Sequence, residues 1–270
     1  MDEFEKLEEL HENIITTTEG NIITDYKKTL DYARKIMAEM FNKYEDDGKL
    51  TYEEMAKYNR LKTLQKMLDE ITNDLYKDTS KNIDKALNLD YKAGYDGLKN
   101  IIEIKTGKII IPIVKDEVLK LALYNDISGL KWTERMGIHR DYAVLKIRET
   151  VTQGLKEGMT YSQASQRLND VMSRQVVNPL RIIRTESHRV FNQAKKDSLD
   201  KSAGKIKMIK TWISARDERV RTMHAIMDGV TIPYDKLFVL PDGSTGFAPG
   251  LTGSAKHDIH CRCAWKIDIL

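Results

Sequence analysis

His257 to Cys263 reads HDIHCRC, and it holds both cysteines of the chain and two of its six histidines. A chain that otherwise avoids cysteine has placed its whole supply one arginine apart. A disulfide between positions i and i+2 strains the geometry that bond prefers. Two separate buried thiols are one reading, since free cysteine packs as a small hydrophobe. A metal site is another. In extended backbone, residues i and i+2 face one side, so Cys261 and Cys263 would present two sulfurs together, a pair suited to Zn2+. Two ligands do not hold zinc firmly, so others must come from elsewhere. The run that follows, HCRCAWKIDIL, reads as a strand.

Working backwards, GSTGFAPGLTGSAKH is Gly-rich and reads as a loop. It contains neither GxGxxG nor a Walker A pattern, so a phosphate cradle is unsupported. YDKLFVLPDG suits a short strand ending in a turn. SARDERVRTMHAIMDG suits a helix over 215–228, with Ser214 and Asp217 as a capping box and Gly229 as its end. KIKMIKTWI alternates, with Ile206, Met208 and Trp212 apolar, and suits another strand. The last third is therefore an expected small α+β unit.

Upstream the patterning is helical. TDYKKTLDYARKIMAEMFNKY sets Leu30, Ala33, Met37, Met40, Phe41 and Tyr44 on one stripe, with Thr24 as N-cap and Gly48 as the stop. Thr51 and Glu54 form a capping box opening a second helix. Inside it, Leu61, Leu64, Leu68, Ile71 and Leu75 alternate three and four apart. Residues 77–135 are less regular, and Pro112 interrupts an apolar run read as a loop or short extended piece. Helices return over 141–158, ended by Gly154 and Gly158, then after Thr160, then from Pro179 to a stop at Gly204. The fold class expected is mostly α: a long helical N-terminal region, then a small α+β C-terminal domain. The divisions are 1–135, an extended helical arm; 136–204, a helical lead-in; and 205–270, the α+β domain with the CxC motif.

Composition narrows the function. With 41% hydrophobic residues the chain can bury one or two cores, and 31% charged residues is high. Scarce cysteine argues against a disulfide-stapled secreted domain. The acidic start MDEFEKLEELHEN has no apolar core of a signal peptide, and no apolar run reaches membrane-spanning length, so no membrane role is expected. Residues 1–60 hold 15 acids against 9 bases, and residues 181–221 hold 12 bases against 5 acids. The basic stretch is either a solvated face or a surface that meets phosphates.

On the expected 215–228 helix, Asp217, Arg221 and His224 fall at i, i+4 and i+7 and share a face. Asp217 could simply cap the helix, and His224 could be a half-buried histidine. Imidazole is also a common zinc partner for thiolates. His224, Cys261 and Cys263 thus make three candidate ligands. His257 shares the cysteines' parity in an extended run and is a fourth, whereas His260 would point away. In RTESHRVFN, Glu186 and Arg189 form an i, i+3 pair with Asn192 one turn on. Either this is a solvated helix or it makes buried polar contacts to the α+β unit. A metal-dependent nuclease or nucleic-acid-processing factor using Asp217 and His224 is the enzymatic alternative. Against it, thiolate-rich sites are usually structural, and HExxH and a second carboxylate cluster are missing.

These pieces occur in the order RTESHRVFNQA, KTWISARDERVRTMHAIMDG, FVLPDG, a Gly/Pro loop and CRC. Over about residues 180–265 that order resembles the minor head or head-morphogenesis proteins of tailed bacteriophages, typified by phage Mu protein F. GLKWTERMGIH and TVTQGLKEGMTYSQASQRL resemble the stretch upstream. The resemblance carries Arg184, Thr185, Glu186, Asp217, Arg219, Arg221, His224, Cys261 and Cys263 as motif positions. It implies a non-enzymatic minor capsid protein that associates with the portal and acts in procapsid assembly. Its implied partners are the portal protein, the major capsid or scaffold protein, and DNA. The implied location is the capsid interior near the portal, after assembly in the host bacterial cytoplasm. Relatives often have Asn before CRC, where this chain has His260. Some carry toxin domains fused beyond this one; with seven residues after Cys263, none is expected here. A structural Zn2+ held by Cys261, Cys263, His224 and His257 fits a small domain that lacks a large core.

Overall fold

The acidic opening segment and the stripe around Met37 form one helix, α1 (Glu3–Tyr44), in the computed structural model, which describes residues 2–107, 111–127, 129–201 and 206–270. Thr24 does not cap it. Thr24 lies mid-helix, where its hydroxyl donates back to the Gly20 carbonyl at 2.8 Å. The start is closed by Asp2 and Glu5, each accepting the other's backbone N–H at 2.7 Å. Gly48, at φ 71°, makes the turn after α1. Thr51 then caps the short α2 (Tyr52–Ala56) by accepting the Glu54 N–H at 3.3 Å. Glu54 does not return the bond; its carboxylate takes Lys57 and Arg60 instead.

A 3-10 turn at Lys57–Asn59, with Tyr58 at φ 51°, separates α2 from α3 (Arg60–Thr106). The expected second helix is therefore broken near its start and runs much further than expected. Residues 77–106 continue the apolar stripe through buried Ile83, Leu87, Tyr91, Tyr95, Leu98 and Ile102. Two glycines of this stretch are points of close contact. A Cβ on Gly94 would lie 2.7 Å from the Phe191 carbonyl, and one on Gly97 would lie 2.4 Å from a Leu7 methyl. Of the apolar run before Pro112, residues 108–110 lie outside the described residues, as does the expected stop at Gly204.

Next come α4 (Asp116–Leu123), α5 (Trp132–Lys156), α6 (Tyr161–Gln175) and α7 (Val177–Asp200). α5 begins earlier than its pattern suggested, because Trp132 and Met136 are buried anchors. Gly154 is inside α5, facing Met159, and Gly158 at φ 67° is the stop. Thr160 and Gln163 form a complete capping box on α6.

Contacts group the chain into two units, each assembled from separate stretches. One comprises residues 19–82 and 133–180. Its interior includes Met37, Phe41, Leu64, Leu68, Ile147, Leu155 and Leu168. Within it Asn82 donates to Asp25 at 3.1 Å and Gln65 to Thr152 at 3.2 Å. No described helix is long and apolar enough to cross a membrane.

The other unit comprises residues 1–18, 83–132 and 181–270. Its sheet has the order β2 (Thr231–Pro233), β1 (Met208–Ile213), β5 (Ala264–Ile269), all antiparallel, with Trp212 opposite Trp265. β3 (Phe238–Val239) and β4 (Thr245–Gly246) form a small hairpin. The Gly-rich segment thus contains a strand, and it also contains a short helix, α9 (Ala255–Asp258). The expected 215–228 helix shrinks to α8 (Thr222–Ile226). Arg216 at φ 53° breaks the register, and the Ser214 N–H goes to Asp228 at 2.8 Å rather than to Asp217. The chain is therefore mostly α with a small α+β C-terminal part.

The polar helix motif of α7 is spent inside this unit. Glu186 and Arg189 form a buried ion pair at 2.8 Å, and Arg189 also donates to the Ala122 carbonyl at 2.7 Å, at the end of α4. Asn192 accepts from the Trp265 indole at 3.0 Å and donates to the Pro249 carbonyl at 3.0 Å. Lys195 donates to the Trp265 carbonyl at 2.9 Å. Of the two readings of RTESHRVFN, the buried polar contacts to the α+β elements are what the fold contains.

Candidate metal centre

The CxC pair lies just before β5, where the chain leaves α9 and enters the sheet. His260 takes φ 56°, a left-handed conformation that Asn and His tolerate better than most residues. The His260 N–H donates to the Thr185 hydroxyl at 3.3 Å, which fastens the turn to α7. Cys261 and Cys263 emerge beyond it, both buried.

α8 supplies the imidazole. His224 is 1% exposed, and its Nδ1 lies 3.6 Å from the Cys261 sulfur and 3.5 Å from the Cys263 sulfur. One donor atom from each residue lies within 4.8 Å of the others, so the three could hold a metal ion. Trp212, Met227, Phe238 and Leu240 pack around the sulfurs, with the Trp212 ring edge-on to His224 at 5.3 Å. This dry wall lowers the local dielectric, which strengthens any bond between thiolate and cation.

The thiols differ electrostatically. The Cys263 neighbour, then burial, pushes Cys261 up, while Cys261, then His224, pulls Cys263 down.

His257 has a different place from the one its parity suggested. It sits in α9, not in an extended run. Its Nδ1 is 3.2 Å from His224 Nε2, and its Nε2 is 3.0 Å from an Asp242 carboxylate oxygen and 3.0 Å from the Ser244 hydroxyl. These contacts fix one proton direction. If His224 Nδ1 offers its lone pair to the sulfurs' side, His224 Nε2–H donates to His257 Nδ1, and His257 Nε2–H donates to Asp242. Asp242 is held well below the usual carboxylate range by Lys256 and Ser244, so it remains an acceptor. Sequence reasoning missed Asp242 and Ser244, which lie on the turn between β3 and β4. The only trace of them is the PDG turn signal, which announces a bend but not what its aspartate reaches.

The other motif residues brace the loop. Asp217 is not on a helix face with Arg221 and His224. It receives a two-pronged ion pair from Arg262, one arm at 2.7 Å, and that pair pulls its pKa down to about 2. Arg221 donates to the Ile259 carbonyl. Asp258, also missed, accepts from the Thr252 N–H, the Thr252 hydroxyl and the Gly253 N–H within 3.1 Å, pinning the Gly-rich segment. Arg184 pairs with Glu12 at 3.1 Å, and the Arg219 side chain reaches the surface.

Comparison with known proteins meets the same C-terminal residues. The family model described as Phage Mu protein F like protein matches residues 145–266. The minor head protein GP7 of Bacillus phage SPP1 is 31% identical over 261 residues, covering 96% of this chain and 85% of that protein. The NAD(+)–arginine ADP-ribosyltransferase EFV of Enterococcus faecalis (strain ATCC 700802 / V583) is 25% identical over 173 residues, covering 63% of this chain and 35% of that protein. No solved structure matches. With similarity to a minor head protein running through nearly the whole chain, and the Mu F-like pattern lying over the thiol–imidazole cluster, the chain belongs to the Mu F-like family of phage minor head proteins.

Proposed function

We propose that this minor head protein works at the portal during procapsid assembly, with helical residues 1–135 contacting portal or capsid subunits and residues 205–270 forming a zinc-stapled module. The observation that carries the reading is the similarity to SPP1 GP7 across 96% of the chain, helical regions included. The protein would be built into the head in the host cytoplasm and reside in the virion, inside the capsid by the portal. The scaffold or major capsid protein is a further partner. Arg189, Lys195 and Lys210 are buried, so the support for contact with DNA comes from the exposed basic residues within 181–221, Arg216 and Arg219 among them.

Zn2+ fits the donor set. A tetrahedral ion with Zn–S near 2.3 Å and Zn–N near 2.0 Å sets sulfur and nitrogen about 3.5–3.6 Å apart. The two sulfur–nitrogen separations here are 3.6 and 3.5 Å. Bound there, the ion would supply cross-linking between α8 and the lead-in to β5. His224, Cys261 and Cys263 would hold it, and His257 with Asp242 would orient His224, as carboxylates and histidines behind metal ligands do. Nothing specific favours the nuclease alternative, because Asp217 commits both carboxylate oxygens to Arg262.

The test is coexpression of the tagged chain with the portal protein of the same phage, followed by purification and sizing. A stable complex at fixed stoichiometry is expected. Clean separation of the two proteins at low and moderate salt would refute the portal reading.

A further inference from the structure

Four arginines from distant positions converge on one cavity of about 800 Å3: Arg184, Arg219, Arg221 and Arg262, with His260 beside them and Glu12 as its one carboxylate. Like charges do not gather without a reason. Asp217 holds the Arg262 pKa above its usual value, and the nearby Arg184 charge works against it. Two of the four are partly offset, Arg184 by Glu12 and Arg262 by Asp217. The other two make no ion pair within 4 Å among the described residues, although the Asp217 carboxylate acts on Arg219 at longer range. Arg221 gives one N–H to the neutral Ile259 carbonyl, which orients the guanidinium without cancelling its charge. Arg219 has no ion-pair partner among the described residues; its backbone N–H, not its side chain, meets Asp217 at 3.0 Å.

We infer that this cavity is a phosphate-binding site, with Arg219 and Arg221 as the primary contacts and Arg184 and Arg262 as its flanks. Oriented guanidinium forks match phosphate oxygens better than any other common anion receptor in proteins. The volume falls in the range of ligand sites. No Phe, Tyr or Trp lines it; its one ring is the His260 imidazole. Its donors are guanidinium groups, which suit phosphate oxygens rather than a base edge, so the site would grip phosphate without reading sequence. The ligand class is a phosphodiester or phosphate group, from a nucleic-acid backbone or a free polyphosphate. This assignment gives an address to the DNA contact of the proposed function, and it rests on that part of the reading.

The experiment uses full-length, metal-loaded protein and two probes, a labelled 30-base-pair duplex of mixed sequence and inorganic pyrophosphate. Arg219→Gln, Arg221→Gln and the double variant are compared with Arg140→Gln, a control that removes one exposed arginine of α5. Each single variant is expected to weaken binding about tenfold and to reduce the salt dependence by roughly one phosphate contact. The double variant should lose binding, while the control changes less than about twofold. Arg219→Gln removes no internal contact, so unchanged melting of that variant separates binding from folding. Loss on the duplex assigns the backbone as ligand. Loss on pyrophosphate alone assigns a free phosphate and still supports the site. Wild-type affinity in the double variant, an equal effect of the control, or no binding of either probe by wild type would overturn the inference. Portal copurification of the double variant is scored separately: it should persist, so failure of the phosphate site and failure of the portal reading remain distinguishable.

Discussion

Replacing His257 by Phe asks what this histidine does for the metal centre. Phe keeps a ring of similar size against His224, whose centroid lies 5.4 Å away and whose plane is tilted by 23°. It removes both nitrogens. His224 Nε2–H then loses its acceptor at a position 1% exposed, where water cannot replace it. An unsatisfied buried donor costs about 1–3 kcal/mol. That penalty falls on the protonation state that binds metal, so zinc affinity should drop roughly 5- to 150-fold. The range agrees with the roughly 10- to 100-fold cost of deleting partners behind metal ligands. The assay is competition of the reduced protein against a chromophoric zinc chelator, with bound metal counted directly. One ion per chain should remain, held more weakly. His224→Phe should abolish binding instead. Two results refute the reasoning: unchanged affinity in His257→Phe, which breaks the relay, or complete loss of metal, which makes His257 a ligand.

Three further outcomes follow from the packing. Arg189→Met removes the buried ion pair of Glu186 and releases the end of α4, so denaturant unfolding should show a loss of about 3–5 kcal/mol; a loss below about 1 kcal/mol would show the pair to be dispensable. Gly94→Ala gains about 1 kcal/mol of helix propensity but drives a Cβ against a backbone oxygen that cannot rotate away. A net loss of about 1–2 kcal/mol is expected, whereas Gly20→Ala, with nothing within 4 Å, should stabilise; equal effects at both sites would refute the close approach of α3 and α7. Burial, then Lys196, pushes the pKa of Lys210 down to about 7, from 10.5 for a free side chain. Between those values the unfolded chain binds the extra proton, so stability should rise with pH from about 7 towards 10. Lys210→Met should flatten that slope in thermal melts, and an unaltered slope would assign the pH dependence elsewhere.

Much of the helical architecture is legible in the chain because helices announce themselves locally. The Met37 stripe, the Leu64–Leu68 seam and the Thr160 cap are all decided by neighbours three or four residues away. The errors arose where a long-range contact overrode a local signal. Residues 77–106 read as irregular, yet they continue α3, with Gly94 and Gly97 set closely against Phe191 and Leu7. The Asp217–Arg221–His224 face dissolved because Arg262, 45 residues on, claims Asp217.

The metal centre divides along the same line. Sequence by itself determined the soft donors, since two thiols one residue apart and a short supply of histidine limit what can be built. It also determined the family, through the order of its motifs. Tertiary structure decided which imidazole meets the sulfurs, that His257 stands behind it, and that four arginines share one cavity. Those choices depend on turns at Arg216, Asp242 and His260, where the chain reverses. A reversal of direction is set by the contacts on both sides of it, and no local periodicity encodes where the two sides will meet.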